Sequence, residues 1–275
     1  MKTEAWDWYA RNDPLFAVCA DPSKKHGKWD IAEFFQSGEM EVSRILAYAE
    51  AAGLQINFEG AVLDFGCGVG RLSQAFANSF NRYLGVDISK EMINRALELH
   101  RNKNNIGFGV STLESLQNLS ERFTFIYSNL VFQHIDPLQT EEYLKVLVNL
   151  LQPDGVLIFQ VAEKYISSKH RSPGELLNKT RTILRPKEKL SNIVKPFGIS
   201  IATGEPGMNM YGISENRIRQ VIDLFGGKVI DVRLTNSTQS NFNGDLKFLT
   251  QAPMQEWISK QYLVLPQNSP LGHLL

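Results

Sequence analysis

The chain has 275 residues, of which 43% are hydrophobic, so it can bury a large core and lies near the upper limit for one compact domain. Its 29 basic and 29 acidic residues balance. This neutrality gives no global field for nucleic acid or an acidic membrane and favours chemistry on a small molecule. The first eleven residues contain no apolar signal core, and no run approaches the roughly 18 apolar residues of a membrane span, so we expect a soluble cytoplasmic protein. The only two cysteines, Cys19 and Cys67, are expected to be free thiols.

The order of the predicted elements indicates an α/β fold. A helix with an apolar stripe from Val42 to Ala49 comes first. Helical segments then separate most of a series of apolar, strand-like runs, and such alternation is typical of a parallel sheet with right-handed crossovers. These runs cover residues 61–65, 82–86, 106–110, 123–127 and 156–161.

The alternation of strands and helices breaks after Val161. About 45 residues with several prolines and glycines come before the next helix, for which Ser214 and Gly226 are plausible caps. Two further strands are predicted at 228–234 and 246–250. We interpret the interruption as a lid, and the last residues as an extension on the surface or on a partner.

The end of the first predicted strand has a pattern suited to ligand binding. Asp64 is followed by the glycines of Gly66-Cys67-Gly68-Val69-Gly70, which lead into a helix. Glycine tolerates positive φ and lets a ligand approach the main chain, while a helix N-terminus presents free N–H groups. The spacing G-x-G-x-G differs from the dinucleotide fingerprint G-x-G-x-x-G. The next strand also ends in an acid, Asp87, which can accept both hydroxyls of a ribose.

These motifs together resemble the class I S-adenosylmethionine-dependent methyltransferases of the small-molecule type. The turn at Pro153-Asp154-Gly155 and the polar loop from Asn129 to His134 fit the same resemblance, which covers about residues 60–162. It implies a Rossmann-like, doubly wound, seven-stranded and mostly parallel sheet. One structural domain would comprise an N-terminal cap and helix (1–55), a core (56–275), a lid inserted after strand five (about 163–212) and a C-terminal extension (about 252–275).

The resemblance implies S-adenosylmethionine as the cofactor and no metal. Thr112 departs from the family, because it stands where an acid often contacts the adenine. Met92 at helical spacing fits the core equally well. The implied cofactor-binding residues are Asp64, Phe65, Gly66, Cys67, Gly68, Gly70, Arg71, Asp87, Ile88, Met92, Thr112, Leu113, Asn129 and Leu130.

The catalytic candidates are His134, Glu163 and Tyr211. Imidazole titrates near neutral pH, and His134 lies where strand four should end, so it is the first candidate for a general base. A histidine that only anchors the loop is the alternative, and Glu163 and Tyr211 fit solvated or packing positions equally well.

The aromatic N-terminus and the lid are the predicted substrate region. The substrate-binding candidates are Trp6, Tyr9, Trp29, Gln133, Met208, Met210 and Tyr211, with core packing as the alternative. Residues 164–195 carry nine Lys or Arg against two acids, which suits an anionic or carrier-bound acceptor or, alternatively, a solvated helix face. We expect a small metabolite, such as a specialised natural product, and no nucleic acid.

Two other functions stay open from the sequence alone. An NAD-dependent oxidoreductase shares the logic of the fold but prefers the other glycine spacing. A non-catalytic cofactor-binding module would bind the same ligand without turnover.

Overall fold

The computed structural model describes residues 3–101, 103–166 and 209–273, and within them the chain folds around one eight-stranded sheet. The strands are β1 Ala61–Phe65, β2 Arg82–Asp87, β3 Ile106–Val110, β4 Phe123–Ser128, β5 Leu151–Tyr165, β6 Gly227–Thr235, β7 Phe248–Leu249 and β8 Trp257–Pro266. The helices are α1 Thr3–Asn12, α2 Pro14–Val18, α3 Ile31–Ala51, α4 Ser73–Ser79, α5 Lys90–Leu99, α6 Leu113–Gln117, α7 Pro137–Asn149 and α8 Glu215–Leu224.

The strands follow the order β3-β2-β1-β4-β5-β8-β6-β7. The first five strands are parallel, and β8 pairs antiparallel with β5 on one side and with β6 on the other. The chain reverses direction across the sheet between β1 and β4, where an open α/β sheet has its ligand crevice. The predicted Rossmann-like, mostly parallel α/β fold is thereby confirmed.

The C-terminal segment differs from the prediction. The expected extension at 252–275 supplies β8, which lies inside the sheet and is buried on both faces from Ile258 to Leu265 apart from Lys260. The strand expected at 246–250 is only the two-residue β7 at the sheet edge. The sheet of the described residues therefore has eight strands rather than seven.

Side chains alternate between two cores, one on each face of the sheet. In β1, Val62 joins the core under α3 and α4, while Leu63 joins the core under α7 and α8. Ser89 caps α5 by accepting from the Met92 backbone N–H at 3.2 Å, and the predicted cap Ser214 likewise caps α8. Each cap satisfies an N–H group that has no partner within its helix.

The first helices lie over the carboxyl ends of the strands. The Ser89 hydroxyl donates to the Asp7 carboxylate at 2.6 Å, which fixes α1 on α5. On α3, a Cβ added at Gly38 would lie 2.3 Å from the Arg71 carbonyl oxygen, so this helix touches the backbone that follows the glycines. None of the helices in the described ranges is long and apolar enough to cross a membrane.

Because β8 is an interior strand, Leu263→Ala should lower the free energy of unfolding by about 2–5 kcal/mol, as large-to-small changes in a core do. The matched control is Met254→Ala in the same segment, whose side chain is 85% exposed. Its effect should stay within about 0.5 kcal/mol. Urea unfolding followed by circular dichroism measures both, and equal small effects would contradict the interior position of β8.

Candidate functional site

A cavity opens where β1, β2 and β4 end. This is the end of an open α/β sheet at which ligands bind. Both cores and the N-terminal helices contribute to its wall. The lining residues are Trp6, Ala17, Val18, Glu41, Asp64, Phe65, Gly66, Cys67, Gly68, Arg71, Leu72, Asp87, Ile88, Met92, Ser111, Asn129, Leu130, Val131, Ile135 and Tyr143.

The loop of residues 66–70, which we call the glycine loop, needs its glycines for two physical reasons. Gly66 and Gly68 have φ of +80° and +54°, a region that residues with a Cβ rarely adopt. Added Cβ atoms would lie 2.3 Å from a methyl of Val131 and from a methyl of Val18, respectively. The backbone of the glycine loop is thus in close contact with the wall after β4 and with α2. Gly70 also has positive φ, but it packs against Phe108 outside the cavity lining.

Two carboxyl groups flank the glycine loop, of which Asp64 is buried and Asp87 is half-buried. Asp87 accepts the Gly68 N–H at 3.0 Å and the Ser89 N–H at 2.8 Å. Asp64 accepts the Tyr83 hydroxyl at 2.8 Å. Burial disfavours the charged form and raises the pKa of Asp87 to about 6 and that of Asp64 to about 7. Both groups therefore titrate near neutral pH.

A buried ion pair joins the cap to the glycine loop. The Arg71 guanidinium pairs with the Glu41 carboxylate of α3, and their side chains are 4% and 0% exposed. Glu41 also accepts the Tyr127 hydroxyl at 2.8 Å and the Asn129 amide at 2.9 Å. Burial alone would lower the pKa of Arg71, but Glu41 more than offsets this effect and raises it.

The loop after β4 forms the opposite wall. Asn129, Leu130 and Val131 all line the cavity. Leu130 has a positive φ of 63°, and its N–H donates to the side-chain oxygen of Gln160 at 3.0 Å. Asn129 and Leu130, which are two of the predicted cofactor-binding residues, thus line the cavity.

Two of the predicted cofactor-binding residues, Thr112 and Leu113, do not line the cavity. The Thr112 side chain accepts from the Ser115 N–H and caps α6, and Leu113 packs half-buried against the core. Ser111 lines the cavity instead, together with Ile88 and Met92. Met92 is both a core residue, 1% exposed, and a lining residue, so the two alternatives for it are compatible.

The aromatic residues of the N-terminus divide between cavity and core. Trp6 lines the cavity, and its ring lies edge-on to His134 with centroids 5.2 Å apart. Tyr9 and Trp29 are buried in the core, where the Trp29 indole donates to the Cys19 carbonyl at 3.0 Å. The assignment of these two residues to the substrate is therefore corrected to core packing.

His134 lies beside Trp6 but does not line the cavity. Its Nδ1 is 3.0 Å from the Asn209 carbonyl oxygen, which can only accept, so Nδ1 carries the proton. Its Nε2 is 3.3 Å from the side-chain nitrogen of Gln133. Burial lowers the pKa of His134 to about 4, which leaves it neutral and weakly basic. This geometry favours the loop-anchoring alternative over a general base.

The other catalytic and substrate candidates also have structural contacts outside the cavity lining. The Glu163 carboxylate pairs with Lys260 at 2.8 Å. The Tyr211 N–H donates to the Gln133 carbonyl at 2.7 Å, which joins the C-terminal end of the predicted lid to the loop after β4. Met210 is half-buried in that segment. Met208 and most of the predicted lid lie outside the described residues.

Several lining residues were not found from the sequence. Glu41 gave the clearest signal that could have been used, because it is the one charged residue on the buried face of α3 that includes Phe34 and Val42. Ser111, Ile135 and Tyr143 gave none, since nothing in their local pattern separates a lining residue from its neighbours. Within the described ranges no group of three His, Cys, Asp or Glu side chains is arranged to hold a metal ion.

Removal of one partner from the buried pair should be costly. Glu41→Ala leaves Arg71 charged and unpaired, and we expect it to lower the free energy of unfolding by about 3–5 kcal/mol. The double variant Glu41→Ala/Arg71→Leu should regain part of that loss, because no charge remains buried. Glu98→Ala breaks an exposed pair with Arg95 and should cost less than about 1 kcal/mol. Urea unfolding measures the stability of the three variants. A Glu41→Ala variant as stable as Glu98→Ala would contradict the expectation.

Sequence comparison finds known proteins that are similar to part of the chain. A family model described as a methyltransferase domain matches residues 62–155. The cyclopropane-fatty-acyl-phospholipid synthase of Escherichia coli K12 is 27% identical over 165 residues, which are 57% of this chain and 41% of the synthase. A ubiquinone biosynthesis O-methyltransferase of Actinobacillus pleuropneumoniae is 33% identical over 119 residues, which are 40% of this chain and 49% of that enzyme. The chain thus spans about half the length of these curated relatives, or less.

Solved structures share the fold over most of the chain. Magnesium protoporphyrin IX methyltransferase from Synechocystis PCC 6803, crystallised with bound SAH, superposes with a TM-score of 0.56 at 20% identity and covers 97% of this chain and 100% of its own. An S-adenosylmethionine-dependent methyltransferase from Clostridium acetobutylicum gives a TM-score of 0.55 at 16% identity, covering 89% of this chain and 95% of its own. Residues 62–155, which contain the glycine loop, Asp64 and Asp87, are thus similar to a methyltransferase domain, and the chain shares the fold of these solved structures.

Proposed function

We propose that this chain binds S-adenosylmethionine in the cavity and transfers its methyl group to a small-molecule acceptor. The observation that carries the proposal is a hydrogen bond between the glycine loop and Asp87, in which the Gly68 N–H donates to the carboxylate at 3.0 Å. This hydrogen bond holds the carboxylate at the end of β2 next to the glycine loop that follows β1, on one side of the cavity. An adenosine ribose and a methionine chain need these two features next to each other.

The adenosine half of the cofactor fits the groups around Asp87. The Asp87 carboxylate has about four acceptor positions and keeps capacity beyond the backbone N–H groups that it accepts, so it can accept ribose hydroxyls. Ile88 and Met92 offer apolar surface for the base, and Ser111 offers a hydroxyl close to the end of β3. The assignment of the adenine contact thus moves from Thr112 to Ser111.

The methionine half is a zwitterion and fits the charged wall of the cavity. Glu41 and Arg71 line the cavity with opposite charges, and the Nε of Arg71 is buried without a hydrogen-bond partner. A carboxylate of the ligand would satisfy this donor, whose burial without a partner is costly. Asp64 and the backbone of Gly66 lie on the same wall and suit the ammonium group.

In the proposed reaction the residues of the chain mainly position the cofactor and the acceptor and exclude water from the cavity. The bound cofactor supplies an electrophilic methyl on a sulfonium. Trp6, Ala17 and Val18 cover the cavity from the N-terminal side, and Leu130 and Val131 border it from β4. Placement of an acceptor in line with the methyl can contribute about 7–11 kcal/mol to lowering the barrier. The three lining carboxylates already accept hydrogen bonds from the protein, so placement is the main contribution of these walls.

The acceptor is proposed as a small metabolite from specialised natural-product biosynthesis. The neutral overall charge supports a small molecule over a nucleic acid. No Asn/Asp-Pro-Pro-Tyr/Phe/Trp tetrapeptide, typical of amino-methylating nucleic-acid enzymes, follows β4, where the chain reads Ser128-Asn129-Leu130-Val131. The names of the relatives point to a phospholipid, a ubiquinone precursor pathway and a magnesium protoporphyrin, which support methyltransferase chemistry but different acceptors.

Two finer properties belong to the same proposal. Cys19 and Cys67 are free and buried, which supports a reducing compartment such as the cytoplasm. An anionic or carrier-bound acceptor is supported by the basic sequence of residues 164–195. Arg71 is the lining cation among the described residues, and Glu41 neutralises it, so any recognition of an anionic tail is assigned to that basic segment.

Ligand titration tests the cofactor, and labelled turnover tests the chemistry. Trp6 lines the cavity, so quenching of tryptophan fluorescence reports occupancy. Saturable binding of S-adenosylhomocysteine without binding of NAD supports the proposal, and the reverse result identifies the oxidoreductase alternative. Methyl-labelled cofactor incubated with protein and a metabolite extract from the native cell should give a labelled small molecule. Tight binding without any labelled product would instead identify a non-catalytic module.

Asp87→Asn should weaken the affinity for S-adenosylhomocysteine by about 10- to 100-fold. The variant can still accept from Gly68 but loses the charge that strengthens bonds to ribose hydroxyls, a loss of about 1.5–3 kcal/mol. Calorimetric titration measures the dissociation constant, and the exposed variant Glu98→Ala serves as the control. An unchanged affinity in Asp87→Asn would remove Asp87 from the binding site.

The affinity should also depend on pH through Asp87. Its raised pKa of about 6 means that the free protein protonates this carboxyl as the pH falls below 6. The protonated form accepts fewer hydrogen bonds, so the affinity should fall about tenfold for each pH unit below the pKa. Titrations between pH 5 and pH 8 should show this step in the wild type, whereas Asp87→Asn should keep only the step of Asp64, whose pKa is about 7. A wild-type affinity that stays constant over this range would contradict the role of the ionised carboxylate.

A further inference from the structure

Leu130 is held in an unfavourable backbone conformation at the cavity wall. Its φ of 63° lies in the left-handed region, where a residue with a Cβ is disfavoured relative to glycine. Such conformations persist only where surrounding contacts impose them, and they cluster at functional sites. The contacts of Leu130 therefore show what imposes the turn.

The side chain of Gln160 on β5 makes the contact with the Leu130 backbone. The Leu130 N–H can only donate, so the atom 3.0 Å from it is the Gln160 oxygen. The Gln160 nitrogen in turn donates to the Ser259 hydroxyl of β8 at 2.8 Å. Gln160 and Ser259 are 0% exposed, so water does not compete for these bonds. The amide is thus fixed at both ends and has one orientation.

The left-handed turn determines where two neighbours of Leu130 lie. On one side, the Asn129 amide donates to Glu41 at 2.9 Å. On the other side, Val131 occupies the space that a Cβ on Gly66 would need. Both neighbours line the cavity, so a change of φ at Leu130 would displace the wall that faces the glycine loop.

We propose that Gln160 is a positioning residue that imposes the left-handed conformation of Leu130 and so fixes the cavity wall for cofactor binding. This inference rests on the proposed function for its effect on the cofactor. It assigns to β8 a role beyond sheet pairing, because Ser259 orients the amide. Gln160 itself does not line the cavity.

The experiment separates this role from that of an ordinary buried polar residue. Gln160→Met keeps a side chain of similar size but removes the acceptor of the Leu130 N–H. It is measured in three backgrounds: wild type, Leu130→Gly and Leu130→Ala. Glycine adopts positive φ without the steric cost, whereas alanine lacks most of the leucine side chain but keeps the Cβ that causes the cost.

We expect Gln160→Met to weaken the affinity for S-adenosylhomocysteine about tenfold in the wild-type and Leu130→Ala backgrounds, in line with the cost of a left-handed residue. In the Leu130→Gly background it should weaken the affinity by about twofold or less. An equal loss in all three backgrounds would overturn the inference, because a purely structural Gln160 has the same effect whatever residue stands at position 130.

Unfolding in urea keeps failure of the inference distinct from failure of the proposed function. If the wild type binds no S-adenosylhomocysteine, the proposed cofactor is wrong. The role of Gln160 is still tested, since Gln160→Met should destabilise the Leu130 and Leu130→Ala chains more than the Leu130→Gly chain. If Gln160→Met does not fold, Ser259→Ala replaces it, because it frees the other end of the same amide. The same dependence on the Leu130 background supports the inference, and equal destabilisation in all backgrounds overturns it.

Discussion

The buried pair of Glu41 and Arg71 is the interaction on which the site depends. It joins α3 to the residue that follows the glycine loop, and Glu41 also accepts from Tyr127 and Asn129 of β4 and its following loop. Three separate parts of the chain thus meet at one carboxylate. Buried ion pairs often contribute little net stability, because removing two charges from water costs about as much as their attraction returns. The pair is better understood as a device that fixes geometry and keeps charges inside the cavity.

The N-terminal helices complete this arrangement from above. Asp7 receives the Ser89 hydroxyl at the start of α5, and Trp6 contacts His134 beyond β4. Helix α1 therefore bridges the two strand ends that flank the glycine loop. Val18 of α2 contacts Gly68 directly, so the same helices touch the backbone that the ligand would approach. The N-terminal helices and the glycine loop therefore pack together as one unit.

Local periodicity was enough to predict most of the fold. The apolar strands β1 to β5 alternate with amphipathic helices, and the caps Ser89 and Ser214 follow from side-chain chemistry within three residues. Strand β8 was not predicted, and its polar residues Ser259 and Gln261 are buried inside the sheet. Ser259 is buried because it pairs with Gln160, which is 99 residues earlier in the chain. Such a pairing is a property of the folded sheet that no sequence window contains.

The site shows the same division between local and long-range information. Gly66, Gly68, Asp64 and Asp87 were predicted from the sequence and line the cavity, because the turn and the acid are constrained by neighbours in sequence. Glu41 was missed because its partners Arg71, Tyr127 and Asn129 lie 30 or more residues away. For Tyr9 and Trp29 the aromatic side chain indicated burial, but it did not indicate whether they face the cavity or the hydrophobic core, where they lie.

The charges of the cavity wall favour a cationic ligand. Glu41, Asp64 and Asp87 oppose the single lining cation Arg71, so the described wall is net negative when its carboxyls are ionised. Burial raises the pKa of Asp64 to about 7, and a nearby positive charge would favour its ionised form. S-adenosylmethionine carries a sulfonium charge that the demethylated product lacks. In the proposed reaction the same wall therefore attracts the cofactor more strongly than the product, and the loss of one charge on methyl transfer weakens binding just when release is required.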